Sequence, residues 1–594
     1  MTEIELVREV ACRTAPEALW PALADTARLN RIAGMAPLEL TPIDGENGAR
    51  YLVKTRLDGF PVRYEEEPFE WEAPDRFVVR RNMKEGALHR LQMGLEVRPG
   101  ASGGSIVTWR LIFSVKLALL APITRLLGNY RMRTIVRATE GFDAELMSPV
   151  AATLPPVASG PLARAVASLE EAVDPEDRAT ARRLGEWIAS APDTDVSRIR
   201  PYELAERWGV PREHMLGVCL EAVVAGLLQM YWDIVCPSCR TGASRVEHLY
   251  ELTNQGHCGY CEISFDLPLD RAVEAVFVPA AAVRVVEVRP YCTGGPATTP
   301  HVLSQVNLPA DGSVDLTAPA APGKYRVFVR GGAVADISVD VDGLAGVSLQ
   351  AGERMEPSEA TLAPRGRITV HQPGGSARHA KLERVEWADR AATAHRLSLQ
   401  PRFRRIFSGE VLGPGRQLQV ARVALLFSDL SASTALYSRV GDAPAFRLVQ
   451  DHFELLRAKI AEEEGVVVKT IGDAVMAAFQ DEAAAVRTAV AMQACWDGFR
   501  VNRPDAVDTM LKIGVHAGPA YVVTANGALD YFGQTVNVAA RLQGAAHERE
   551  IVVTEELAER AILEGWLGQA RVVERFDAVL KGLDRPLRAV RLLV

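Results

Sequence analysis

The stretch Val466-Val-Val-Lys-Thr-Ile-Gly-Asp473 sets a lysine and an aspartate four residues apart around a chain reversal. Three β-branched apolar residues run into Lys469, a Gly-Asp corner follows, and Ala474-Val-Met-Ala-Ala-Phe479 returns. That pattern predicts a β-hairpin with a carboxylate at its tip. A cation and a carboxylate this close suit a site that handles both a base and a metal-bound phosphate. A second carboxylate, Asp429, ends the buried-strand run Val423-Ala-Leu-Leu-Phe427. An amphipathic helix follows it, with Leu436, Val440, Leu448, Val449, Phe453, Leu456 and Ile460 on one face. The N-terminus of such a helix presents free N–H groups to phosphate. Two aspartates at the ends of neighbouring strands can hold a pair of Mg²⁺ ions against a triphosphate, because magnesium takes few protein ligands and fills its shell with substrate oxygens.

Downstream, Leu511-Lys-Ile-Gly-Val-His-Ala-Gly518 predicts another strand, and Leu529-Asp-Tyr-Phe-Gly-Gln-Thr-Val-Asn-Val-Ala-Ala-Arg-Leu542 a turn entering a helix. Asn537 and Arg541 are four apart and therefore share one face of that helix. An amide and a guanidinium projecting together suit a ribose and the charge that develops on a phosphorus under attack.

From about 420 to 594, these motifs in this order resemble the catalytic domain of class III nucleotide cyclases. The resemblance implies a ferredoxin-like α/β fold with Asp429 and Asp473, and the Leu430 carbonyl, as ligands of two Mg²⁺ or Mn²⁺ ions. It implies that Lys469 and Asp530 read the purine, that Asn537 and Arg541 orient the ribose and stabilise the transition state, and that Lys581 reaches the terminal phosphates. Lysine and aspartate at the purine positions are the adenine-selecting choice of that family, whereas its guanylate members carry glutamate and typically cysteine. ATP is thus the expected substrate and cyclic AMP the product. A guanylate cyclase, or a catalytically weak nucleotide-sensing relative, is the alternative. In the family one subunit supplies the aspartates and the other the remaining groups, which implies a homodimer with two equivalent sites. Ala432 stands where the family usually has glycine.

These motifs occupy less than a third of a chain of 594 residues, a length that suggests about three to five domains. The expected organisation is multidomain α+β. Residues 1–148 alternate strands with a short helix and close on a long helix, similar to the START/polyketide-cyclase helix-grip fold, whose cavity would take a small hydrophobic ligand. Residues 149–162 are a Pro-rich linker. In 163–265, Tyr202–Leu216 has the helix, glycine turn and second helix of a helix-turn-helix. Cys236-Pro-Ser-Cys239 and Cys258-Gly-Tyr-Cys261 follow, two CxxC knuckles 18 residues apart, which predict a structural Zn²⁺ in a zinc ribbon. Residues 266–385 are β-rich and sandwich-like, 386–418 a helical transducer, and 419–594 the cyclase domain.

Helix-turn-helix plus zinc ribbon raises the one non-enzymatic reading, a DNA- or protein-binding regulator. Between Val196 and Phe265 there are six arginines, no lysine and eight acidic residues, which argues against DNA. The whole chain, with 67 Lys+Arg against 75 Asp+Glu, gives no support for a broad nucleic-acid or membrane-surface role. The acidic, polar start Met1-Thr-Glu-Ile-Glu does not read as a signal peptide, and the apolar run 109–127 carries Arg110, Lys116 and Arg125, so no span and a cytoplasmic location are expected.

Overall fold

The computed structural model describes residues 2–594 apart from 44–50, 58, 101–102, 148–159, 238–241, 259–260, 287–289, 386–390, 432, 502, 504–505, 507 and 581–584. At the N-terminus, strands Thr2–Cys12, Ser105–Val115, Leu88–Pro99 and Arg76–Met83 pair antiparallel in that order. The helix Ala121–Met147 lies against the first two of them. Phe77 and Trp109 pack edge to face at 5.9 Å in a core shared with Trp20, Phe69 and Phe142, and Trp109 Nε1 donates to Thr139 Oγ1 at 2.9 Å. Aromatic side chains of the sheet and the helices thus meet in the layer between them. The Asp143 carboxylate accepts from the Arg13 and Thr14 backbone N–H groups and the Thr14 hydroxyl, which ties the C-terminal end of the helix to the sheet.

The expected boundaries at 148 and 265 do not separate independent sheets. Glu70–Glu72 pairs with Val302–Leu308, with Ser304 opposite Glu72, so the N-terminal strands and those of the β-rich region form one 15-stranded sheet. Pairing removes the exposed edge that each set would otherwise present. Likewise Leu228–Val235 pairs with Val273–Pro279 across 265, with Trp232 opposite Ala275. Among the described residues no helix is long and apolar enough to cross a membrane.

The C-terminal part is a sheet in the order Val466–Ile471, Ala474–Phe479, Gln417–Leu430, Leu511–Ala525, Glu550–Thr554, Leu587–Leu593, Arg571–Ala578, with Ala528–Phe532 returning along Leu511–Ala525. Helices Asp442–Glu462, Glu482–Val501 and Glu555–Leu563 cover one face through Leu448, Phe453, Trp496 and Leu557. The other face carries the helix Gln534–Ala545, which comes so close that a Cβ at Gly514 would sit 2.2 Å from the Gln543 nitrogen and 2.7 Å from the Ala539 oxygen. Beside that helix the same face, through Leu425, Met476 and Tyr531, joins one apolar core with the connector and the module before it. The connector consists of helices Ala394–Ser398 and Pro401–Ile406. Its Phe403 is buried between Phe407, stacked at 5.2 Å, and Trp232, edge-on at 5.9 Å.

Candidate active site

Strand register brings the two aspartates together. Ser428 lies opposite Val475, so Asp429, one residue before the end of the central strand, lies beside the hairpin tip, where Gly472 takes φ +66 to make the turn into Asp473. The Asp473 Oδ2 atom is buried with no hydrogen-bond partner. Burial first, and the Asp473 charge second, push the Asp429 carboxyl above the usual carboxylate range, against Lys512 and hydrogen bonds from the Leu430 N–H and the Gln543 side chain. Two repelling carboxylates with an unsatisfied oxygen form a donor set that a divalent cation fits.

A carboxyl with a raised folded pKa loses stability as pH climbs from its unfolded pKa to its folded one, and the deficit persists at neutral pH. Asp429→Asn should therefore raise the melting temperature of the metal-free chain at pH 7. Mn²⁺ should stabilise the wild type and leave the variant nearly unmoved, as differential scanning fluorimetry would read.

Lys469 lies on the same hairpin, and its Nζ meets Asp530 Oδ2 at 2.6 Å. Asp530 opposes Val523 in the second hairpin, and its Oδ1 accepts from the Tyr531 N–H at 2.8 Å. Thus a donor and an acceptor 61 residues apart form one polar edge. Asn537 is exposed and Arg541 half-buried, both on Gln534–Ala545. Among the described residues neither side chain has a hydrogen bond or ion pair. Leu430 ends the central strand opposite Leu511 with its side chain buried. Lys581 and Ala432 lie outside the described residues.

Two neighbours of the aspartates were not singled out from the sequence. Lys512 is the register partner of Asp429, and Gln543 reaches it from the helix that carries Arg541. A lysine at the start of a strand and a glutamine two residues past an arginine are ordinary in sequence. Only the pairing of Leu511–Ala525 with Gln417–Leu430 makes them local.

Residues 417–588 match the family model described as adenylate and guanylate cyclase catalytic domain. This region is a class III cyclase catalytic domain. Residues 163–293 match a family of unknown function, DUF5939, a span that includes the strand pairing across 265. An uncharacterized protein of Mycobacterium tuberculosis is 35% identical over 168 residues, 28% of this chain and 40% of the relative. The chain thus spans less than half the length of the mycobacterial relatives it matches. An adenylate cyclase of Anabaena cylindrica is 29% identical over 150 residues, covering 23% of this chain and 30% of its own. Among solved structures, an adenylyl cyclase from P. aeruginosa aligns at 21% identity and TM-score 0.27, covering 30% of this chain and 96% of that one. An adenylate/guanylate cyclase/hydrolase from Silicibacter pomeroyi aligns at 25% identity and TM-score 0.27, covering 30% and 99%.

Upstream of the cyclase domain, the Sγ atoms of Cys236, Cys258 and Cys261 lie within 4.8 Å of one another, all buried. The Cys261 N–H donates to Cys258 Sγ at 3.4 Å. Cys239 lies outside the described residues. The helix-turn-helix pattern does form, as Pro201–Trp208, a left-handed Gly209 at φ +69, and Arg212–Val224. Its second helix is buried from Met215 to Ala222, so it has no free face to lay in a DNA groove.

Proposed function

We propose that the chain is an adenylate cyclase that converts ATP to 3′,5′-cyclic AMP and pyrophosphate, in sites shared across a homodimer. The 2.6 Å Lys469–Asp530 pair carries the choice of base. Adenine presents an acceptor at N1 and an amino donor at N6, which the Lys469 ammonium and the Asp530 carboxylate complement. Guanine presents a donor at N1 and an acceptor at O6, and would set like against like. The names of the Anabaena cylindrica and Mycosarcoma maydis relatives, both adenylate cyclases, point the same way.

Mg²⁺ or Mn²⁺ held by Asp429, Asp473 and the Leu430 carbonyl would neutralise the triphosphate and acidify the ribose 3′-hydroxyl. Asn537 orients the ribose. The 3′-hydroxyl gives up its proton to water or to a phosphate oxygen of the substrate, the 3′-oxygen attacks the α-phosphorus, the bond to the bridging oxygen breaks, and pyrophosphate leaves, while Arg541 offsets the growing charge. One cyclase-domain match in the chain supports sharing across two copies, as does the lack of a side-chain partner for Asn537 and Arg541 among the described residues. On one hairpin, Lys469 is committed to Asp530 while Asp473 belongs with Asp429. Product assay of the purified chain with ATP and Mg²⁺ or Mn²⁺ tests the reading. Cyclic AMP is expected, and none from Asp429→Ala.

The N-terminal sheet-and-helix domain and the modules after it would regulate that activity through the connector, whose His395 ring packs 6.1 Å from Tyr531, next to Asp530. We further infer a structural Zn²⁺ on Cys236, Cys239, Cys258 and Cys261. The three described thiols share a core with Phe328 of the β-rich region, so the metal would tie that region to the module before it. Elemental analysis should give one zinc per chain. Cys258→Ser should lose it and lower the melting temperature, whereas retained zinc in the variant would refute the assignment.

A further inference from the structure

The helix Ala121–Met147 has two apolar stripes, and only one of them meets the sheet. Gly128 fixes which. A Cβ there would stand 2.8 Å from Leu6 Cδ1 and 2.9 Å from Phe113 Cε2, so this side of the helix is pressed against the strands. Thr124, Met132, Ile135 and Phe142 continue the buried side. Ile123, Leu126, Leu127 and Tyr130 fall on the opposite side at helical spacing, each more than half exposed, with Leu126 at 72%. Leu119, in the turn that enters the helix, extends the ridge at 75% exposure.

The charge around the ridge is one-sided. From Ser114 to Thr139 there is no aspartate or glutamate, although the whole chain carries a net charge of −8; exposed Glu140 and Glu145 come only in the last two turns of the helix, beyond the ridge. Lys116, Arg125, Arg133 and Arg137 in that span are exposed. An apolar ridge rimmed by cations is complementary to a surface with anionic head groups above an apolar interior. It is a poor match for a second copy of itself, since a two-fold contact would oppose the same cations. It is also a poor match for nucleic acid, whose phosphates give leucines nothing to bury against.

We propose that the outer face of this helix over residues 121–137 docks the chain on an anionic phospholipid membrane, lying in the plane of the interface without crossing it. The leucines enter the head-group boundary, the arginines and Lys116 meet the lipid phosphates, and the buried stripe stays on its own sheet.

Sedimentation with vesicles tests this on the full-length chain. Vesicles of equal parts phosphatidylglycerol and phosphatidylcholine should carry down at least about fivefold more protein than phosphatidylcholine alone, and added salt should weaken that binding. Leu126→Asp with Leu127→Asp should reduce sedimentation to the phosphatidylcholine level while leaving melting temperature and molar mass unchanged. Arg133→Glu with Arg137→Glu, which leaves the apolar ridge intact, should remove most of the excess over phosphatidylcholine vesicles. Equal sedimentation with both vesicle types, or full binding by either double variant, would overturn the proposal. So would a drop in molar mass of the leucine variant, which would make the ridge a contact between protein chains.

Discussion

An equimolar mixture of Asp473→Ala and Arg541→Ala chains should regain about one quarter of the wild-type rate, although each variant alone is nearly inactive. The arithmetic follows from a two-fold dimer in which each site draws Asp429 and Asp473 from one copy and Lys469, Asp530, Asn537 and Arg541 from the other. Random exchange makes half of the dimers mixed. In a mixed dimer one site combines both lesions and the other is intact. Arg541→Ala alone should cost about 10²–10³ in kcat, the scale for removing one preorganised group that meets transition-state charge. Asp473→Ala should fall further, because it removes half of the carboxylate pair. A mixture no more active than its two components would mean that each chain builds its site alone. The hairpin at the pair's centre makes the test sharp, since Lys469 contacts Asp530 whereas Asp473 raises the pKa of Asp429.

Exchanging the purine edge should exchange the substrate. Lys469→Glu with Asp530→Cys replaces the donor and acceptor now joined at 2.6 Å by groups suited to guanine. For ATP, kcat/KM should fall about 100-fold, because a site that cannot pair its buried polar groups rejects a ligand strongly. For GTP it should rise. The single change Lys469→Ala should weaken ATP use without creating GTP use, since it removes a donor and supplies no acceptor. Steady-state kinetics with both nucleotides separates these outcomes. Unaltered preference for ATP in the double variant would place base selection elsewhere.

Much of this site was legible in the sequence because its parts are local. The Gly-Asp corner between two apolar runs predicts a hairpin, and Asp429 follows a buried-strand run directly, so both carboxylates could be placed at strand ends from spacing alone. What periodicity could not supply was pairing between distant strands. The contact of Lys469 with Asp530 needs two hairpins to meet, and the closeness of Lys512 and Gln543 to Asp429 needs the register of the central strands. The same limit explains the boundary at 265, because nothing in Val273–Pro279 taken alone says that its partner is Leu228–Val235. It also explains Ala121–Met147. In sequence the apolar residues Ile123, Leu126, Leu127 and Tyr130 form one series with Ile135, Ala138 and Phe142, but the two sets lie on opposite sides of the helix, with Gly128 against the strands. A helix with two apolar stripes has no single hydrophobic direction, and only packing tells which stripe is core.

The proposed regulation by the upstream modules would run through the connector. Trp232 touches Phe403 and also donates through Nε1 to Glu410 Oε2 at 3.0 Å, and the connector shares a core with the sheet face beside Tyr531. On the proposed regulation a shift in the module would reach the strand next to Asp530, since the helices on the opposite face pack in a separate core.

The most direct test supplies equal concentrations of ATP and GTP together to the purified full-length chain, with Mg²⁺ and then with Mn²⁺, and measures both cyclic products. The Lys469–Asp530 edge predicts that cyclic AMP exceeds cyclic GMP by about 100-fold or more. Cyclic GMP in equal or greater amount, or no cyclic nucleotide with either metal, would contradict it.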